Sequence, residues 1–172
     1  MNNFMELAMA RYSLKSFDGT PVEAEKLQKI LEAGNVAPTA KNMQAHRIYI
    51  CQSEEALTKA SQATVCTYGS KTILLVTYKT AEAFAYPSGD GLTSGPEDAS
   101  IVATHMMLQA AELGVGSCWV NFFDFAKCKE IFELPEGEEP VLFMPLGYPK
   151  AGAGPLENHF IQRPLDQTVK YL

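Results

Sequence analysis

A layered α+β fold, with helices packed on one central sheet, is predicted by three observations. Segments with a helical apolar period alternate with short β-branched or apolar runs, and such elements stack in two or three layers around one sheet. The chain has 172 residues, enough for one sizeable core and short for two, so a single domain spanning residues 1–172 is expected. Its 47% hydrophobic and 20% charged residues form an ordinary globular composition, far from that of a disordered chain.

Asn3 has the chemistry of an N-cap for a short helix through Phe4, Leu7 and Ala8. Asp18-Gly19-Thr20-Pro21 reads as a turn. A second helix fits residues 23–33, with Leu27, Ile30 and Leu31 on one stripe and the Glu25/Lys29 pair on its exposed side. Gly34 and Asn35 are suited to end it. Residues 37–44 are too polar for a core element, and Pro38 restricts the residue before it, so they form a loop.

Strand signals follow at 47–51 and 72–78, the second more deeply buried, with a modest helix at 54–63 between them. Residues 80–95, with three glycines, Pro87 and the aromatics Phe84 and Tyr86, read as a mobile cover or a surface excursion. A central buried helix fits 99–113, closed by Gly114-Val115-Gly116, and a strand emerges at 117–120. Asp124 is placed to cap a short helix through Lys127, Cys128 and Ile131. A last strand covers 141–146, although Pro145 argues against a fully hydrogen-bonded central position. Residues 151–172 are extended and poor in regular pattern.

Fourteen Lys plus Arg against twenty Asp plus Glu leave a formal charge of -6, which argues against nucleic acid or an anionic membrane as a partner. No apolar run approaches a membrane span, and the start carries no basic n-region, so a cytoplasmic location is expected. The four cysteines, Cys51, Cys66, Cys118 and Cys128, are widely spaced, with neither a CxxC pair nor a histidine at a ligand interval. Buried thiols are expected at all four, and no metal site.

Arginine is scarce: Arg11, Arg47 and Arg163 are the only three. In an extended segment, Arg11-x-Ser13-x-Lys15 directs alternate polar side chains to one side. Two readings suit it: a phosphate grip, with guanidinium, hydroxyl and ammonium donors, or a solvated surface strand. Asn42-x-Gln44 supplies amides that both donate and accept, the groups that recognise the edge of a flat heterocycle. Gly114 and Gly116 permit close backbone approach but lack the third glycine of a dinucleotide fingerprint. No hydrolase motif is present, so no catalytic side chain is nominated.

Together these segments closely resemble the nitroreductase family, in family order along nearly the whole chain. They are Arg11-Tyr12-Ser13-Leu14-Lys15-Ser16-Phe17, Pro21-Val22 with its helix, residues 37–44, and Gly114-Val115-Gly116-Ser117-Cys118-Trp119. Leu134-Pro135-Glu136-Gly137, Leu146-Gly147-Tyr148-Pro149 and Arg163-Pro164-Leu165 complete the match. The resemblance implies a three-layer α/β/α fold of the α+β class, a mainly antiparallel central sheet and an intertwined homodimer. Residues 151–172 would then be an arm embracing the partner.

The resemblance also implies FMN as cofactor. Arg11, Lys15 and Arg163, assisted by Tyr12 and Ser13, would grip its phosphate and ribityl chain. Asn42 would address the isoalloxazine, and Gln44 the ribityl or pyrimidine side. Backbone around Gly116 and Ser117 would lie against the ring face or its N5 edge. The implied activity is ping-pong transfer from NADH or NADPH to a small flat aromatic acceptor such as a nitroaromatic or quinone. An electron-relay flavoprotein, reduced by a redox protein partner, keeps the same FMN residues.

The chain departs from the family pattern at Lys15, where arginine is more usual, and at Ala45-His46, where proline and an aromatic are common. Lys15 keeps the charge and loses the guanidinium fork. His46 suits either a pocket proton donor or a packed loop histidine. The short cover leaves the acceptor undetermined.

Overall fold

Strands β2 (Thr72–Lys79) and β4 (Glu138–Gly147) carry long apolar runs, and alternation along them builds two cores on opposite faces of one sheet. Leu74, Val76, Leu142, Met144 and Leu146 face one way; Ile73, Leu75 and Phe143 face the other. The computed structural model describes residues 3–172. Its elements are α1 (Phe4–Ala10), α2 (Ala24–Asn35), β1 (His46–Cys51), α3 (Glu54–Ala63), β2, α4 (Gly95–Glu112), β3 (Gly116–Ser117), α5 (Phe125–Phe132), β4 and α6 (Leu165–Thr168). The sheet runs β1-β2-β4-β3, and each neighbouring pair is antiparallel.

Helices α2 and α4 cover the first face, contributing Leu27, Ile30, Val102 and Met106. Helices α3 and α5 cover the second, contributing Ala60, Ala63 and Cys128. The expected three-layer α+β architecture is therefore observed. Predicted caps recur: Asn3 and Glu6 form a reciprocal capping box on α1, and Asp124 accepts from Lys127 N to open α5. No helix among the described residues is long and apolar enough to cross a membrane.

Several expectations are corrected. Helix α2 ends at Asn35, one of the two residues expected to close it, and Gly34 lies inside its last turn. A Cβ there would stand 2.8 Å from Met106 Cγ, so this glycine serves the close approach of α2 to α4. Helix α4 begins at Gly95 rather than Ala99, because Pro96 occupies the first turn, where no backbone donor is needed, and Glu97 and Asp98 favour the positive helix end. Strand β4 is an interior strand despite Pro145. The missing N–H faces residues 118–120, because the strand expected over 117–120 stops at Ser117; there Cys118 N donates 3.1 Å to the Pro145 carbonyl and Val120 and Phe143 exchange bonds of 2.9 Å.

Residues 80–95 carry a short ladder of their own. Ala85 bridges Thr93, Tyr86 N donates 3.1 Å to Leu92 O, and Ser94 N donates 2.9 Å to Phe84 O. Of the free cysteines, Cys51, Cys118 and Cys128 are buried as expected, whereas Cys66 is only half-buried. Residues 151–172, expected to be extended and poor in regular pattern, contain a short 3-10 turn, Glu157–Phe160, and the four-residue α6. Apart from His159, every residue from Gly154 onward is exposed.

Candidate functional site

Arg11 ends α1 in an extended conformation, with φ -65° and ψ 132°, so the chain enters residues 11–15 as the predicted strand-like segment. Ser13 bridges Ser117 in parallel, and Leu14 N donates 2.9 Å to Ser117 O. Leu14, 1% exposed, anchors the segment in the core. Alternation then leaves Ser13 and Lys15 exposed on the opposite side.

There they border a cleft of about 300 Å³, together with Tyr12. Cys66, Tyr68 and residues Cys118 to Phe122 form further walls, and Asn158 and His159 approach from the C-terminal segment. Burial pushes the Cys118 thiol up, while the charges of Lys15 and Arg11 and the Ser13 hydroxyl pull it back. The Tyr68 hydroxyl is pushed up by its hydrogen bond to the Cys66 thiol and by burial. Asn121 is fixed by donating 2.8 Å to Val141 O and by accepting from the Trp119 indole.

Tyr12 also borders a neighbouring cleft of about 450 Å³ against the C-terminal end of α4, which Arg11, Gly116 and Ser117 line with it. Gly116 packs on Leu14, which a Cβ would strike, so its size is explained by this contact. The Ser117 side chain is buried, and its Oγ has no partner among the described residues. The wall bordering Lys15 is thus formed by 118–122, just beyond the nominated Gly116 and Ser117.

Asn42 and Gln44 lie elsewhere. Lys41, Asn42 and Gln44 have φ of 49°, 56° and 52°, left-handed conformations that non-glycine side chains adopt at a cost of about 1–3 kcal/mol each when strained. Gln44 Nε2 donates 3.1 Å to Asn42 Oδ1, and Gln44 N donates 3.1 Å to Thr39 Oγ1. Ala40 N donates 2.9 Å to Asp98 Oδ1, tying this loop to the first turn of α4. Ser117 instead follows the far end of that helix. With 18 residues, α4 is about 27 Å long, so one chain holds the two groups of nominated residues at opposite ends of its central helix.

Arg163 is exposed, beyond the point where His159 Nε2 lies 3.3 Å from Met9 O. Arg47 is engaged by Glu82 at 2.5 Å, whereas Arg11, Lys15 and Arg163 make no ion pair among the described residues. Of these, Lys15 shares the cleft with the Ser13 hydroxyl, a donor pair that suits an anionic oxygen group. His46 is half-buried, and its Nδ1 has no partner among the described residues. Burial and the Arg47 charge lower its pKa and favour the neutral ring, with Asp98 opposing.

Sequence reasoning did not nominate Cys66, Tyr68, Trp119, Asn121, Phe122, Asn158 or His159, because their proximity depends on tertiary packing. The continuation of Gly114-Val115-Gly116-Ser117 into Cys118 and Trp119 was the one available signal for part of this wall.

The nitroreductase family model matches residues 8–68 and 66–148. A nitroreductase family protein of Clostridium difficile 630 is 37% identical, with a TM-score of 0.91 over 99% of this chain and 98% of that one. Another, from Clostridium novyi NT, is 27% identical, with a TM-score of 0.75 over 87% of this chain and 86% of that one. A chain from Exiguobacterium sibiricum 255-15, solved in complex with FMN, shares the fold with 18% identity and a TM-score of 0.85, covering 100% of this chain and 98% of that one. An NADPH-dependent oxidoreductase of Staphylococcus aureus (strain MRSA252) is 28% identical over 159 residues, 83% of this chain and 63% of that relative, so this chain spans less than two thirds of its length. The extent of the family match and the agreement in fold lead to one conclusion: this chain belongs to the nitroreductase family.

Proposed function

We propose that this chain is an FMN-dependent oxidoreductase that takes electrons from NADH or NADPH and delivers them to a flat acceptor such as a nitroaromatic or quinone. The observation carrying the proposal is the Arg11-Ser13-Lys15 segment, whose two cations have no carboxylate partner among the described residues, with Ser13 and Lys15 bordering the cleft. In this reading Lys15 and Arg11 offset the phosphate charge, Ser13 donates to a phosphate oxygen, and Arg163 joins from the C-terminal arm. The donor set fits FMN, whose bound ring supplies hydride-transfer chemistry while the protein orients it.

A second copy completes the site. Asn42 and Gln44 stand at the opposite end of α4 from Ser13 and Lys15, so the ring-recognising amides come from the partner in a homodimer. Residues 118–122 shield one side of the ring, and the partner's cover borders the side where nicotinamide and acceptor bind in turn. This alternation is the proposed ping-pong order.

Anaerobic addition of NADH or NADPH to the FMN-loaded protein should bleach the flavin's visible absorption, and a nitroaromatic or quinone added afterwards should restore it. Protein that takes up no FMN would overturn the cofactor assignment. Bleaching by a reduced ferredoxin-like protein but by neither nicotinamide would replace the proposed donor with a protein partner.

A further inference from the structure

The loop carrying Asn42 and Gln44 meets the cover at one corner. Lys41, between Ala40 and Asn42, places its Nζ 4.7 Å from the centroid of the Phe84 ring. This is cation–π geometry. The left-handed backbone at Lys41 belongs to the same turn that displays Asn42 and Gln44, linking the position of the ammonium to that of the amides. Phe84 is held in turn by Tyr86 in an edge-on aromatic pair with centroids 6.1 Å apart, and its carbonyl accepts from Ser94 N.

The other charged groups packed around this corner have polar partners. Arg47 pairs with Glu82 at 2.5 Å, and Lys79 with the same carboxylate at 3.4 Å. Asp98 accepts from Ala40 N at 2.9 Å and Ser94 Oγ at 2.7 Å, and Glu97 accepts from the Tyr86 hydroxyl at 2.9 Å. The neighbouring His46 ring is held towards its neutral form. Lys41 makes no ion pair among the described residues; it is an exposed residue whose ammonium stands over the Phe84 ring.

We infer that Lys41 is a specificity-determining cation at the rim of the acceptor site, selecting flat aromatic acceptors that carry a carboxylate or comparable anionic group. The inference rests on the reading that the 39–44 loop borders the flavin ring. An aromatic acceptor stacked on that ring would direct its anionic substituent outward to the ammonium, while Phe84 restrains the lysine stem. Attraction between single exposed charges at such a rim changes affinity by up to about fivefold.

The test uses FMN-loaded protein with Lys41→Met and Lys41→Arg variants. Binding of benzoate and benzamide is read from the perturbed flavin spectrum, and kcat/KM is compared for 4-nitrobenzoate and 4-nitrobenzamide. The wild type should prefer the anionic member of each pair; Lys41→Met should reduce that preference about fivefold, and Lys41→Arg should retain it. Equal preference in wild type and Lys41→Met, or failure of the wild type to bind benzoate, would overturn the inference while leaving the oxidoreductase reading intact. Lys41-dependent benzoate binding without turnover of either nitro compound would support it and count against nitroaromatic reduction. Failure of the wild type to take up FMN would overturn both.

Discussion

Leu14 shows how one buried side chain aims its neighbours: anchored in the core, it turns Ser13 and Lys15 outward toward the candidate phosphate cleft. Arg11→Ala should weaken FMN binding by about 1.5–3 kcal/mol, the scale of a charge-assisted hydrogen bond, without unfolding the chain. Fluorimetric titration with FMN tests this, and unchanged affinity would remove Arg11 from the site. Gly116→Ala should cost about 1–3 kcal/mol of stability, because its methyl group meets Leu14. Equilibrium denaturation should show an earlier midpoint at the same slope. His46 carries a pH prediction: with its folded pKa below the ordinary 6.5, the unfolded chain binds the proton first as pH falls. Stability should therefore decline from about pH 6.5 down through the folded value, and His46→Gln should flatten that part of the profile. An identical slope in the variant would show that His46 does not contribute.

At the scale of elements, periodicity and caps carried much of the information. Helix α3 and the caps Asn3 and Asp124 follow the predicted pattern because each depends on residues within a turn or two. The errors arose where a distant element altered the meaning of a local signal. Gly34 looked like a terminator but lies within α2 facing Met106, and Gly34→Val should cost about 1–3 kcal/mol by overpacking the α2–α4 contact. A thermal melt unchanged from wild type would mean that Met106 moves aside freely. Pro145 looked incompatible with an interior strand, yet its missing donor falls on the side where the neighbouring segment is irregular. The candidate site was partly legible for the same reason. Arg11, Ser13 and Lys15 follow a local alternation, whereas Cys66, Tyr68 and Phe122 join the cleft only after the sheet forms.

Across the whole molecule, the exposed apolar surface is concentrated in ways that one chain does not resolve. Phe4, Met5 and Met9 on α1 are more than half exposed, as are Phe160, Ile161, Leu165, Tyr171 and Leu172 at the C-terminal end. This distribution supports the proposed intertwined dimer. Truncation after Pro155 should weaken both dimerisation and FMN affinity, measured by light scattering and flavin titration. A monomeric product with undiminished FMN affinity would refute a site shared between copies. The sequence alone determined the α+β class, most element positions and the resemblance carried by ordered motifs, since these depend on periodicity and local turn chemistry. Only the tertiary structure decided that residues 118–122 wall the cleft beside Lys15 and that Asn42 and Gln44 stand at the other end of α4. Those relations depend on how the sheet is ordered and on which helix packs across it, neither of which is encoded within a few neighbouring residues.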